Sequence, residues 1–203
     1  MKLFILLFVI TFSAVAQKSP CVVQDIMPVN ESGKYFYHET VINDTLSEEK
    51  LFNNAVLFLK SQKVIHKKDT LLTTNVEEGT ILTKRSFPVR FTDIGGSHID
   101  GEIFYKLVIE VKKGCYRYTY SDFLFDEYKK NQFGEYKSAN LRKRTLEKEI
   151  ADSEKDVWCK RKTALHTYLE NEIAKLKIAI ATPPTPELPK EKKKKVVKVE
   201  TNR

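Results

Sequence analysis

A chain of 203 residues, 41% hydrophobic and 31% charged, is sized for one domain, or one domain plus an extension. Its three cysteines include no Cys-x-x-Cys pair, which argues against a thiol redox motif and a cysteine zinc site. Their odd number leaves at least one thiol free or shared between chains.

The chain opens with Lys2, an apolar run from Leu3 to Phe12 broken only by Thr11, and the small residues of Ala14-Val15-Ala16. That run is about half the roughly 20 residues a membrane-crossing helix needs. Residues 1–16 therefore read as a cleavable signal peptide. The expected mature chain has no transmembrane span and lies in the periplasm, cell envelope or extracellular space. Lys18-Ser19-Pro20 ahead of Cys21 is charged and stiff where a lipoprotein signal needs small apolar residues.

Residues 17–34 read as an N-terminal extended segment, with Cys21–Val29 and Tyr35–Ile42 flanking the turn Asn30-Glu31-Ser32-Gly33. A helix follows, capped by Thr45 or Ser47, with Glu48 and Glu49 in its first turn. Phe52, Ala55, Val56 and Leu59 recur on one helical face, which Leu51, Leu57 and Phe58 widen enough to cover a sheet. Thr70–Val76 and Thr80–Phe91 alternate like strands around Glu77-Glu78-Gly79 and read as a hairpin. The segment Thr92–Gly101 carries Gly95, Gly96 and Gly101 and reads as a loop. Ile103, Tyr105, Leu107, Ile109 and Val111 then share one strand face while Lys106, Glu110 and Lys112 share the other. After Lys113-Gly114 the chain returns through Cys115–Phe125, with Tyr116, Tyr118 and Tyr120 on one face and Arg117, Thr119 and Ser121 on the other.

Residues 139–180 read as a helical extension. Leu146, Ile150, Val157, Leu165, Leu169, Leu176 and Ile180 form an intermittent apolar stripe interrupted by Arg161, Lys162 and Glu172. An unbroken helix of that length would extend about 60 Å. It therefore either breaks near Asp152–Asp156 or self-associates with another chain as a coiled coil. Pro183, Pro184, Pro186 and Pro189 end it, and 181–203 reads as a disordered basic tail. Cys115 in a strand and Cys159 beside Trp158 read as buried small hydrophobes, although export also permits a disulfide.

Three groups of side chains invite chemistry. Asp93, His98 and Asp100 can bind a divalent metal or move a proton if the glycine-bearing loop folds them together. A solvated turn is the plainer reading, because no ligand-spacing motif or nucleophile elbow accompanies them. No metal or cofactor is expected. Tyr116, Tyr118 and Tyr120 with Arg117 form either an aromatic binding surface for glycan or peptide, or a core stripe under a helix. Lys192, Lys193, Lys194 and Lys195 offer nonspecific contact to anionic lipid, polysaccharide or nucleic acid, weakened by salt. His38, His66 and His166 are scattered and read as ordinary surface or satisfied residues.

Three stretches resemble an uncharacterised family of exported Bacteroidota domains with a TATA-binding-protein-like (TBP-like) fold: Ser47–Ala55, Glu77–Ile81 and Phe104–Phe123. The most specific is Lys112-Lys113-Gly114-Cys115-Tyr116-Arg117-Tyr118-Thr119 leading to Asp122-Phe123. The likeness spans 35–125 and implies an α+β fold, an antiparallel sheet packed against helices. It transfers no catalytic residues, and a shared fold does not confer DNA binding. No specific nucleic acid is expected. The leading expectation is a non-enzymatic binding or assembly module of the periplasm or cell surface, with an envelope protein, peptide or glycan as partner. The alternatives are a metal-dependent or acid/base hydrolase using 93–101, and a polyanion binder using the tail.

Overall fold

The computed structural model describes residues 26–62, 72–93, 96–139, 143–148 and 151–182. The expected signal peptide at 1–16, Cys21, His66 and Lys192–Lys195 lie outside the described residues. The elements are β1 (Tyr37–Ile42), α1 (Glu48–Ser61), β2 (Leu72–Asn75), β3 (Thr80–Asp93), β4 (Gly96–Lys112) and β5 (Cys115–Lys130), followed by β6 (Tyr136–Ser138) and β7 (Arg144–Thr145). A 3-10 turn (Asp152–Glu154) then leads into α2 (Lys155–Ala181). Strands pair antiparallel in the order β1-β5-β4-β3-β2, with β6 and β7 also pairing β5. This is the α+β architecture the sequence implies.

α1 starts where Ser47, in extended conformation, accepts a bond from the Lys50 amide at 3.4 Å, and Glu48 and Glu49 face the exposed amides. Leu51, Phe52, Ala55 and Leu59 are buried against the sheet side, while Leu57 is half exposed. Asn54 is buried as well and donates to the carbonyls of Ile180 and Thr182, both at 3.0 Å. It thereby satisfies orphan acceptors at the end of α2.

β5 changes which residues face the core partway along. Tyr116, Tyr118 and Tyr120 point inward, then Asp122 adopts a φ of 57° and Phe123 and Phe125 point inward instead. Phe104 pairs with Leu124 and Lys106 with Ser121, so two residues of β5 oppose Tyr105 alone. This is a β-bulge, and it restores the inward face after a one-residue shift.

The expected loop at Thr92–Gly101 is mostly strand. β3 runs to Asp93 and β4 starts at Gly96, with a register shift that leaves Asp100 as an extra residue between Ile99 and Gly101. Gly101 marks a close approach rather than a turn. A Cβ there would sit 2.6 Å from the Phe125 ring and collide with the Asp126 carbonyl oxygen. Pro88 is tolerated in β3 because β2 covers only the stretch from Thr80 to Thr83.

The core is continuous from Met27 to Ile180. Leu165, Leu169, Leu176 and Ile180 of α2 are fully buried together with Trp158, and Leu146 is buried after β7 outside any helix. The segment expected as an extension is thus part of the domain. The helix begins at Lys155, close to the break expected at Asp152–Asp156, and its apolar stripe faces this chain's own sheet rather than a coiled-coil partner. Among the described residues no helix is long and apolar enough to cross a membrane. Cys115 is half-buried and free, whereas Cys159 is buried and, contrary to its reading as a simple hydrophobe, disulfide-bonded.

Candidate functional site

The three tyrosines and Arg117 do not form a common surface. Neighbouring strand residues point to opposite faces, so Tyr116, Tyr118 and Tyr120 are buried under the helices while Arg117 lies on the other side, paired with Glu110 at 2.7 Å. Tyr118 and Tyr120 pack edge-on at 6.0 Å, and Tyr105 lies 5.8 Å from Tyr120. Burial pushes the Tyr116 phenol up to about 12 and raises Tyr118 and Tyr120 further. These phenols stay protonated at neutral pH; Tyr118 donates to Glu39 at 2.6 Å, whereas the buried Tyr116 hydroxyl has no hydrogen-bond partner among the described residues.

In the 93–101 group, Asp100 is engaged by a residue outside the segment. His98 stacks on Tyr136 at 5.5 Å, and Asp100 accepts from Arg161 Nε at 2.7 Å. The bulge turns Asp100 toward α2, and the resulting ion pair is nearly dry on the arginine side. The side chain of Asp93 lies outside the description. Among the described residues no three His, Cys, Asp or Glu side chains come together as metal ligands.

The structure builds a different site, an open groove of about 620 Å³ along the outer edge of β1. One wall is the turn ahead of β1. Asn30 Oδ1 accepts from the amides of Ser32 and Lys34 at 3.0 Å, Gly33 takes a φ of 72°, and Val29 bridges to Tyr35. Phe36, Tyr37 and His38 continue the wall, Tyr118 contributes to the lining, and Ile173 of α2 closes the far side. Among the described residues no strand pairs with this edge of β1.

Two hydrogen-bonded chains hold the lining. Tyr37 OH lies 2.6 Å from His166 Nδ1, and His166 Nε2 lies 3.3 Å from Glu170. Tyr118 OH donates to Glu39 at 2.6 Å, and Lys177 Nζ reaches the same carboxylate at 2.5 Å. The hydrogen bond from Lys177, then that from Tyr118, holds the Glu39 carboxyl below its ordinary range. Burial, reinforced by Glu170, raises the Tyr37 phenol. A tyrosine shifted upward is a poor nucleophile and a poor acid, so this network orients the lining without activating it. The turn Asn30–Gly33 and strand β1 are legible in the sequence, but Ile173 meets them from far along the chain and no local pattern announces it.

The turn is anchored from behind. The Tyr35 amide donates to Glu147 at 2.9 Å, and Lys162 Nζ donates to Tyr35 OH at 2.6 Å. Lys162 is buried among Tyr35, Trp158 and the Glu147 field, and desolvation lowers its ammonium to about 8, Glu147 partly opposing. Between about pH 8 and its ordinary value of 10.5 the unfolded chain binds the extra proton, so stability rises with pH through that window. Thermal unfolding at pH 7 and pH 10 should therefore show the wild type gaining a few degrees relative to Lys162→Met. An identical pH response in both proteins would contradict the burial of that charge.

Residues 37–126 match a family model described as a domain of unknown function (DUF4468) with TBP-like fold. A solved TBP-like protein from Parabacteroides distasonis is similar at a TM-score of 0.57 and 19% identity, covering 79% of this chain and 100% of that one. A solved DUF4468 family protein from Bacteroides ovatus is similar at 0.54 and 14%, covering 79% and 94%. At these identities the likeness is one of fold. Its coverage is wider than 37–126 and so takes in structure beyond the family model. No curated protein matches.

Proposed function

We propose that this chain, whose residues 37–126 match the DUF4468 model of TBP-like fold and unknown function, is an exported, non-enzymatic binding module of the periplasm or cell surface. Its groove receives an extended segment of an envelope protein. The observation that carries this reading is the conjunction of a sheet edge with an apolar groove beside it. An added strand gains main-chain hydrogen bonds from β1, and pockets for alternate side chains supply selectivity. Phe36 and Ile173 offer the apolar contact. The alternative hydrolase at 93–101 finds less support, since Asp100 is already bound to Arg161.

The test begins with protein recovered from the envelope fraction and a photo-crosslinker placed at exposed Val29. A captured envelope peptide is then measured by titration against Val29→Lys/Ile173→Lys. The double substitution should weaken binding at least tenfold while leaving the melting temperature within a few degrees. Full affinity in the double variant would overturn the groove as the site, and recovery only from the cytoplasm would overturn export.

A further inference from the structure

We infer that the segment received by the groove docks as an added strand on the even-numbered residues of β1. Its main chain bonds His38, Thr40 and Ile42, and its side chains alternate, apolar toward α2 and polar toward water. The register follows from two backbone bonds. Just past β1 the Asn43 amide donates to the Gly114 carbonyl at 2.8 Å, on the β5 side. Just before β1 the Phe36 amide donates to the Pro28 carbonyl at 3.0 Å, on the opposite side. In an antiparallel ladder the N–H and C=O of one residue point the same way, and those of the next residue point the other way. Tyr37, Glu39 and Val41 therefore bond toward their partners Tyr120, Tyr118 and Tyr116, while His38, Thr40 and Ile42 turn their amides and carbonyls outward. Pro28 takes up the rung at Phe36, and among the described residues no strand lies beside the next three.

The two faces of this edge differ. Side chains of a docked strand alternate in step with those of β1. Those turned to the helix side enter the groove and meet Tyr118 and Ile173. Those turned the other way stand beside His38 and Thr40, both exposed to water. Glu39 is on the helix side, and an inward-pointing charge is one of the devices that keep strands off a sheet edge. Here Lys177 pairs with the Glu39 carboxylate and Tyr118 donates to it, so that charge is already answered within the chain. A strand of either direction uses the same three outward rungs.

This register rests on the groove being the docking site, and one experiment separates the two. The full mature chain is panned against a phage-displayed library of random short segments, and the best binder is titrated as a synthetic peptide. Thr40→Pro deletes an outward amide and leaves the ladder to β5 whole, as proline does at a sheet edge. It should weaken binding about two- to tenfold, the worth of one hydrogen bond, with the melting temperature within a few degrees. N-methylation along the peptide leaves the protein untouched and should weaken binding at alternate residues only, and the selected sequence should be apolar at every second position. A binder lost in Val29→Lys/Ile173→Lys yet indifferent to Thr40→Pro and to the position of N-methylation would overturn strand addition and leave the groove intact. Binders indifferent to both variants, or no binder, would overturn groove and register together. A chain that dimerises by itself and turns monomeric in Thr40→Pro would make a second copy the occupant and overturn the peptide segment.

Discussion

Replacing Trp158 with alanine is expected to lower the free energy of unfolding by about 3–5 kcal/mol, the usual cost of emptying a large aromatic site. Trp158 is 1% exposed and meets Phe125 edge-on at 5.4 Å and 87°. Its indole N–H donates to the Leu146 carbonyl at 3.4 Å, joining α2 to the segment after β7. Arg161, Lys162 and Arg144 lie over its ring, so alanine also leaves these cations without their aromatic neighbour. Trp158→Phe retains most of the volume and loses the hydrogen bond, so it should cost less than half as much. Urea unfolding followed by circular dichroism measures both. A loss below about 1 kcal/mol for alanine would mean that the site collapses or that the ring is not packed as described.

A chain ending at Lys148 is expected not to fold, whereas one ending at Thr182 should keep the full melting temperature. Trp158, Leu165, Leu169, Leu176 and Ile180 all come from α2 and are buried. Burying one such side chain contributes about 1.5–3 kcal/mol, so their joint loss is comparable to the roughly 5–15 kcal/mol by which a domain is stable. The truncation would also strip Asn54 of both its acceptors. Circular dichroism and size exclusion distinguish the two truncations; a folded monomer ending at Lys148 would contradict the role assigned to α2.

Much of the sheet and α1 is legible in the sequence because their signals are local. Ser47, Glu48 and Glu49 mark the helix start, and the inward residues of β4 alternate from Ile103 to Val111. The bulge, too, is visible in retrospect. The aromatic series Tyr116, Tyr118, Tyr120 resumes at Phe123 and Phe125, one position out of step. α2 is harder to read because Arg161, Lys162 and Glu172 break its stripe, yet each is buried with a partner. Asp100 pairs with Arg161, Tyr35 with Lys162, and Lys175 with Glu172. Two of those three partners are distant in sequence, so a reading by periodicity sees polar interruptions where the fold has satisfied core residues. The 93–101 segment misleads for a related reason. Glycine there suggests a turn, while Gly101 is small because Phe125 and Asp126 crowd it. The groove depends on the same long-range docking, since Ile173 reaches the turn at 28–32 only once α2 lies on the sheet.

Trp158 is the chain's one tryptophan, and selective excitation of its fluorescence reports the docking of α2 directly. Urea unfolding followed by this signal and by circular dichroism should give one shared midpoint, as expected when helix and sheet share a single core. A fluorescence transition at clearly lower urea, with the sheet signal intact, would show α2 to be an appendage and would leave the groove without its far wall.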